Sequence, residues 1–206
     1  MNDRVWGGKA IASNEPFTKN FPWYPSVPGV KYDPTTARRL VQEAKAAGWD
    51  GKIRVLAAND NVNWAITVKS FLEAVGMEVT ADTSKDLSTV VTQMLVQRDF
   101  DLASWAYGLQ DDDGNFPQFF INLSSQSPRY GYKSADMDQG IDLLRQAATD
   151  DARRAAYKKI GETLVRDLPS VPVAELSAAW AYSPKLHDVK RSAASITLFD
   201  KVWLER

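Results

Sequence analysis

Three consecutive aspartates, Asp111 to Asp113, are the residues of this sequence best suited to metal or acid–base chemistry. A calcium-hand loop with Gly114 at its sixth position would begin at Leu109 and end at Phe120, and neither side chain supplies the oxygen that these positions require. Two uses of the run stay open: an irregular calcium site, and a pair of coupled carboxylates in a hydrolase. Adjacent residues seldom face one substrate atom, so the simplest interpretation is a solvated turn.

Other residue types that support catalysis are scarce. The chain has one histidine, His187, and no cysteine. It has no G-x-S-x-G elbow that would present a serine nucleophile, and no glycine-rich phosphate loop of either common type. One histidine without cysteine is also a poor match to zinc. We therefore expect His187 to be structural or solvent-facing, and we expect no cofactor and no metal.

The loop that precedes the aspartates has the composition of a small-ligand site. Trp105 and Tyr107 supply aromatic surface beside the polar side chain of Gln110. The apolar segment 100–106 is predicted to be a strand, so this loop begins where the strand emerges from its sheet. In open parallel sheets, ligands bind at the carboxyl ends of strands. The alternative is that both aromatics pack in the core or at its rim.

The segments around this loop alternate between strand and helix patterns. Asp33 and Asp86 are predicted helix N-caps, and Asn61 or Asn63 is predicted to cap the helix between them. The predicted strands are 52–58, 77–81 and 100–106; the predicted helices are 34–47, 61–75, 86–95, 136–148 and 150–166; a further strand is predicted around 171–173. Such alternation favours parallel pairing and right-handed crossovers. The predicted fold class is α/β, with a mainly parallel central sheet flanked by helices.

Two terminal segments differ from this α/β lobe, which we place at 32–183. Residues 1–31 are rich in proline and aromatic residues and lack a helical period, which predicts extended or polyproline-like coil. We expect this lead-in to wrap the domain and to pack its aromatic side chains onto it, namely Phe17, Phe21, Trp23 and Tyr24. Residues 184–206 form a strand-like tail.

Composition excludes several classes of protein. The 206 residues are 44% hydrophobic and 25% charged, which is typical of a globular domain. The net charge of −1 argues against a nucleic-acid-binding protein. No apolar run approaches the roughly 18 residues of a membrane-spanning helix. The amino terminus lacks the apolar core of a secretory signal, which by itself favours a cytosolic protein.

Five short sequence blocks occur in a fixed order, and together they resemble a known family. The blocks begin with Tyr32-Asp33-Pro34, Asp99-Phe100-Asp101 and Tyr130-Gly131-Tyr132, and continue with residues 151–172 and 198–205. The set resembles the C-terminal half of family 5 of the extracytoplasmic solute-binding proteins of ABC importers, which capture oligopeptides, dipeptides, nickel complexes and some sugars. The resemblance implies one lobe of a two-lobe periplasmic-binding-protein fold. It also implies that an export signal and another lobe precede this chain, and that residues 1–31 include a hinge remnant and the tail returns toward the missing lobe.

The resemblance also indicates the ligand-binding residues. In peptide-binding members, a carboxylate in the turn after this strand receives the amino end of the peptide, and here the aligned residue is Gln110. Either Asp111 or Asp112 takes over that role, or the ligand is not a peptide with a free amino group. The predicted ligand-binding residues are Trp105, Tyr107, Gly108, Gln110, Asp111 and Asp112.

The function implied is capture and delivery without chemistry. The expected ligand is a small solute, most simply a peptide or a peptide-like molecule, and the expected partner is an ABC permease. The protein would be periplasmic or otherwise extracytoplasmic, and would meet the membrane only through the permease or through a lipid anchor on the missing amino terminus. The alternative is an independent α/β enzyme, a hydrolase or a transferase, that uses Asp111 to Asp113.

Overall fold

Strands and helices alternate from residue 34 to residue 103, and three helices and a strand-rich tail follow. The computed structural model describes residues 1–106, 108, 115–127, 129–175, 181–191 and 197–205. The helices are α1 (Asn2–Trp6), α2 (Pro34–Ala46), α3 (Val62–Glu73), α4 (Leu87–Thr92), which continues as a π-helical turn (Gln93–Gln97), α5 (Asn115–Leu123), α6 (Ala135–Gln146) and α7 (Asp150–Asp167). The strands are β1 (Ile11–Ala12), β2 (Lys52–Leu56), β3 (Glu78–Asp82), β4 (Leu102–Ala103), β5 (Ala174–Glu175), β6 (Leu186–His187), β7 (Lys190–Arg191), β8 (Thr197–Leu198) and β9 (Trp203–Leu204).

A parallel sheet of three strands, in the order β3-β2-β4, organises the first half of the chain. All five residues of β2 pair in parallel with β3, and the last two pair in parallel with β4. The predicted α/β class and the predicted parallel pairing are thus confirmed. Because all three strands run the same way, their carboxyl ends lie at one edge of the sheet.

Helices cover both faces of this sheet. Val55 and Leu56 are consecutive in β2 and therefore point to opposite faces, and both are fully buried. Val55 packs in a cluster that includes Trp64 of α3, whereas Leu56 packs with residues that include Met94 of the π-helical turn after α4. Burial on both faces is typical of parallel strands.

Two of the helices begin at the aspartates that were predicted to cap them. The Asp33 carboxylate accepts hydrogen bonds from the backbone amides of Thr35 and Thr36, at 3.1 and 2.9 Å, and Pro34 occupies the first helical position of α2. The Asp86 carboxylate accepts from the amide of Thr89 at 2.8 Å at the start of α4. Asn61 stands at the N-cap of α3, but its side chain makes no capping hydrogen bond.

A second core lies between the lead-in and the last three helices. Phe17, Phe21 and Trp23 are buried against α5, α6 and α7, and Tyr24 packs at the edge of the same cluster. The Tyr157 ring of α7 lies at the centre, with its centroid 4.8 Å from that of Phe21. The predicted packing of the lead-in aromatics onto the domain is confirmed.

The prediction of coil throughout the first thirty residues is wrong at both α1 and β1. Val5 and Trp6 of α1 pack against the hydrophobic cluster on the α3 face of the sheet, so tertiary contacts stabilise a helix too short to be stable alone. The Asn2 side chain adds two hydrogen bonds to the backbone of Ala10, at 2.6 and 3.2 Å. β1 pairs antiparallel with β5, a pairing between residues far apart in the sequence.

β4 is shorter than the predicted strand at 100–106. The Asp101 carboxylate accepts a hydrogen bond of 2.7 Å from the backbone amide of Arg54, in the place where a backbone carbonyl of β4 would otherwise pair. The β2–β4 ladder therefore begins only at the pair Val55–Leu102. The strand predicted around 171–173 lies slightly later in the chain, as β5.

α5 is absent from the sequence-based prediction, although a signal for it exists. Its aromatic and aliphatic residues recur at helical spacing and pack into or against the second core: Phe116, Phe119, Phe120 and Leu123. Asn115, its first residue, is fully buried and donates a hydrogen bond of 3.1 Å to the Tyr157 hydroxyl. This helix follows the aspartate run directly in the sequence, and its first residue is fixed in the second core.

The tail forms antiparallel pairs within itself, β6 with β9 and β7 with β8. His187 of β6 stacks on the ring of Trp203 with centroids 4.1 Å apart, and its Nε2 lies 3.4 Å from a carboxylate oxygen of Glu205. His187 thus has a structural setting at the edge of this pair. Across the described ranges of the chain, no helix has both the length and the apolar character needed to cross a membrane.

Candidate ligand site

A cavity of about 290 Å³ opens beside the carboxyl ends of β2 and β4. This volume lies just below the range of about 300 to 1,000 Å³ for small-ligand pockets. Its lining comes from the segment after β2, from the segment after β4, and from α4, and the residues are Ala58, Asp60, Asn61, Ser104, Trp105, Leu87 and Val90. The cavity therefore lies at the edge where ligands of open parallel sheets bind.

A hydrogen bond between two side chains holds the two strand ends together. Asn61 Nδ2 donates to Ser104 Oγ at 2.9 Å, across the gap between the segments that leave β2 and β4. The backbone N–H of Asn61 also closes a tight turn, because it donates a 2.9 Å hydrogen bond to the carbonyl of Ala58. These contacts orient the polar wall of the cavity.

Opposite the polar wall, two large apolar side chains lie at the rim of the cavity. Trp105 is 42% exposed and Leu87 is 57% exposed, while Val90 below them is buried. Large exposed apolar side chains beside a cavity differ from hydrophobic residues scattered singly over a surface, because they can contact one ligand together. The cavity thus combines an apolar rim with an amide, a hydroxyl and a carboxylate.

The carboxylate is that of Asp60, the charged residue among those that line the cavity in the described part of the chain. Its side chain is exposed, and within that part it has neither an ion pair nor a hydrogen bond. Three other aspartates near the sheet already accept hydrogen bonds from neighbouring groups. A hydrogen bond from Lys85 lowers the pKa of Asp82, the backbone amide of Thr89 lowers the pKa of Asp86, and a hydrogen bond from Arg54 lowers the pKa of Asp99.

The structure describes two of the six residues that were predicted to bind a ligand. Trp105 lines the cavity, and Gly108 is exposed nearby in the chain. The other four, Tyr107, Gln110, Asp111 and Asp112, lie outside the described residues, as does the rest of the aspartate run. The irregular calcium site and the carboxylate pair fall there as well. Elsewhere, in the ranges that are described, no group of three or more histidine or acidic side chains could hold a metal ion.

The sequence did not predict a ligand-binding role for the other lining residues, which include Asp60, Asn61, Leu87 and Ser104. The signal that could have found the first two is their position, because residues 57–61 follow a buried parallel strand in the same way as residues 104–105 do. Applying the strand-end rule to every predicted strand, instead of to the aromatic loop alone, would have identified this wall.

Solved structures share this fold over most or all of the chain. The oligopeptide-binding protein AppA from Bacillus subtilis, solved with a nonapeptide, has a TM-score of 0.72 at 21% identity, over 100% of this chain and 44% of its own. The periplasmic binding protein DppA from Helicobacter pylori, solved with the peptide STSA, has a TM-score of 0.72 at 22% identity, over 100% of this chain and 41% of its own. NikA from Staphylococcus aureus, solved with a nickel–histidine complex, has a TM-score of 0.69 at 17% identity, over 99% and 45%.

These similarities show that the chain has the fold of a lobe of periplasmic binding proteins. The chain spans less than half the length of each of the three proteins. No curated protein sequence matches it significantly. The family model for the middle region of the bacterial extracellular solute-binding proteins, family 5, matches residues 1–130, which is more than half of the chain. The chain therefore belongs to family 5 of the bacterial extracellular solute-binding proteins.

Proposed function

We propose that this chain is one lobe of the solute receptor of an ABC importer, and that its cavity forms one wall of the ligand site. The observation that carries the proposal is the position of the cavity, at the carboxyl edge of the parallel sheet in a chain of the solute-binding family. A second lobe would cover the open side and enclose the solute. The share of the relatives' length that this chain spans leaves room for such a lobe.

The proposed ligand is a peptide or a peptide-like solute. Trp105 and Leu87 would contact its apolar parts, while Asn61 and Ser104 would face its polar groups. Tyr107, Gly108, Gln110, Asp111 and Asp112 would extend this wall, since they follow β4 and Trp105 in the sequence. Two of the relatives were solved with peptides, which supports this class of ligand.

Delivery to a membrane permease completes the proposal. The receptor would be periplasmic or extracytoplasmic, and it would associate with the membrane through the permease or through a lipid anchor that precedes this chain. It would bind and release its solute unchanged. No observation on the described residues favours the alternative of a hydrolase or a transferase, and the family matches are binding proteins of transporters.

The experiment is a ligand screen on the intact receptor that contains this chain. Peptides of two to nine residues, oligosaccharides and nickel chelates are tested by thermal shift, because a ligand at 100 times its dissociation constant stabilises the folded state by about 2.7 kcal/mol. We expect peptides to raise the melting temperature. Calorimetry on residues 1–206 should show that the best peptide binds at least about a thousandfold more weakly, because one wall of the site is missing. Stabilisation by none of these solutes, or turnover of one of them, would contradict the proposal.

A further inference from the structure

The buried floor of the cavity is supported from behind by a residue of the second half of the chain. We infer that Tyr130 is a positioning residue of the site, because its side chain holds the floor residues Ala58 and Val90 at a fixed place relative to α5. This inference rests on the proposed function of the cavity. Tyr130 lies between α5 and α6, and it is not among the described residues that line the cavity. It would act on the solute through the residues that it supports.

The first step is the place of the Tyr130 ring. Leu56, Ala58, Val90 and Met94 form a buried cluster on the α4 face of the sheet, and the partly buried ring of Tyr130 packs against this cluster. Two of the four, Ala58 and Val90, also line the cavity. In the described part of the chain, Tyr130 is the residue beyond position 106 that packs there. Since close-packed side chains transmit displacements, the position of this ring constrains the floor of the cavity.

The second step is the hydroxyl of the same side chain. It donates a hydrogen bond of 3.1 Å to Asn122 Oδ1 in α5. Asn122 is buried, and its Nδ2 donates to the backbone carbonyl of Gln118 at 2.7 Å, which sets the rotation of the amide and directs its oxygen at the tyrosine. Phe119 and Leu123, on the same helix, are buried in the second core. The hydroxyl of Tyr130 is therefore tied to the second core, while its ring packs on the sheet cluster.

The third step is the backbone that carries Tyr130. The Asp138 carboxylate accepts a 2.8 Å hydrogen bond from the backbone N–H of Ser125, and Ser125 Oγ accepts one of 3.2 Å from the backbone N–H of Ser134. These two bonds join both ends of the loop to the start of α6. Gly131 follows Tyr130 with a φ of 75°, and a Cβ there would meet no atom within 4 Å, so the turn needs glycine for its backbone conformation and not for space.

A second tyrosine of the same loop provides a contrast. The ring of Tyr132 packs against the second core, and its hydroxyl donates a 2.6 Å hydrogen bond to Asp167, the last residue of α7. Both ends of this side chain thus contact the helical half of the protein. Tyr130, two residues earlier, instead connects that half to the cluster behind the cavity. The difference makes Tyr132 a matched control.

The test is hydrogen exchange of backbone amides, followed by NMR on the 206-residue chain with Tyr130→Phe, which keeps the ring and removes the hydroxyl. Two amides flank the floor residue Ala58 and the turn after it: Asn59 donates to the carbonyl of Lys85, and Asn61 donates to that of Ala58, both at 2.9 Å. We expect these two amides to exchange about two- to tenfold faster, because loss of one hydrogen bond makes local opening more frequent by such a factor. The amide of Leu168, which donates to the carbonyl of Leu164 at the end of α7, should keep its rate.

Tyr132→Phe should give the reverse pattern, with faster exchange at Leu168 and unchanged rates at Asn59 and Asn61. A role of Tyr130 in general stability alone would accelerate all slowly exchanging amides by one common factor, and urea unfolding would show the matching loss. That outcome, or unchanged exchange of Asn59 and Asn61 in Tyr130→Phe, would overturn the inference. The proposed function is judged separately, by the peptide screen on the intact receptor.

Discussion

The side chain of Asn61 donates a 2.9 Å hydrogen bond to the hydroxyl of Ser104, and so joins the segments that leave two neighbouring parallel strands. The two residues stand 43 positions apart in the sequence. Asn61 occupies the N-cap position of α3 without capping the helix. The structure thus uses this amide to hold the wall of the cavity, at the expense of a local helix cap.

Removing this hydrogen bond should loosen the cavity at a modest cost in stability. Asn61→Ala and Ser104→Ala should each lower the free energy of unfolding, and a double-mutant cycle should give a coupling of about 0.5–1.5 kcal/mol, as for a typical hydrogen bond between side chains. Urea unfolding monitored by circular dichroism measures it. Asn63→Ala is the control, because Asn63 is exposed in the first turn of the same helix. Strictly additive effects would show that the contact is not formed in solution.

Trp105→Ala in the intact receptor should weaken ligand binding by about 2 kcal/mol or more, as loss of an aromatic anchor in an enclosed site does. The residue is 42% exposed, so the same substitution should change the stability of the ligand-free lobe only slightly. Calorimetry with the best peptide from the screen, together with urea unfolding, separates the two effects. Phe71→Ala, at a half-exposed aromatic residue of α3 that does not line the cavity, should leave the affinity unchanged. A large loss of stability without loss of affinity would assign Trp105 to packing.

Gly140→Ala should destabilise the contact between α6 and α7. An added Cβ would lie 2.8 Å from Ile160 Cγ1 and 3.3 Å from the Ile160 backbone nitrogen, and the backbone of a buried helix cannot move aside easily. We expect a loss of about 1–3 kcal/mol from overpacking, partly offset by about 0.5–1 kcal/mol from the better helix propensity of alanine.

The comparison for this prediction is Gly161→Ala in α7. There the nearest atoms are side-chain carbons of Val27 and Phe17, at 3.2 and 3.3 Å, which need to shift by only a few tenths of an ångström. The loss of unfolding free energy should therefore be smaller than at Gly140. Equal losses at the two positions would contradict the proposed role of the Ile160 backbone.

A cluster of charged and phenolic groups between α6 and α7 should make stability depend on pH at both extremes. A hydrogen bond from Arg166, followed by one from Tyr132, lowers the pKa of Asp167. Because the pKa is lowered in the folded state, the stabilisation is present above the ordinary value of about 3.9 and is lost as the pH falls below it. Burial, followed by the hydrogen bond to Asp167, raises the pKa of Tyr132 to about 12. That stabilisation is present below the ordinary value of about 10 and is lost as the pH rises toward 12.

Asp167→Asn tests the pH dependence at both the acid and the alkaline extreme. It should flatten the loss of stability between about pH 5 and pH 2, and it should bring the titration of Tyr132, followed by absorbance at 295 nm, to lower pH. Tyr132→Phe identifies the signal of this residue among the seven tyrosines. Asp200→Asn, at an exposed aspartate of the tail, should change neither curve. If Asp167→Asn loses stability at low pH as the unsubstituted protein does, other groups cause the acid sensitivity of the fold.

The tail should drive self-association of the isolated chain at high concentration. Phe199 and Leu204 are 67% and 63% exposed, and among the described residues the tail strands form two-stranded sheets, whose edges can pair with another chain. Sedimentation velocity from 10 to 500 μM should show a concentration-dependent increase in mass. Phe199→Ser combined with Leu204→Ser should suppress it, whereas Val96→Ser, at another exposed residue, should not. A monomer throughout this range would contradict the expectation.

Local chemistry made much of the fold predictable. Asp33 and Asp86 begin helices because a carboxylate satisfies amides only two or three residues ahead, which a sequence shows directly. The alternation of strands and helices predicted parallel pairing, because crossover helices leave few other arrangements. Because ligands of open parallel sheets bind at the carboxyl ends of strands, the sequence predicted Trp105 as a site residue, and Trp105 lines the cavity.

Long-range contacts decided the rest. α1 is a helix because the cluster on the sheet accepts Val5 and Trp6, and β4 is short because the Asp101 side chain takes the amide of Arg54. A sequence lists Asn61 and Ser104 without showing that two strand ends bring them within hydrogen-bonding distance. Most helices and strands from residue 34 onward followed from the sequence, with α5 as the exception. The wall of the cavity exists only after strands distant in sequence have paired, because pairing alone sets which side chains share an edge of the sheet.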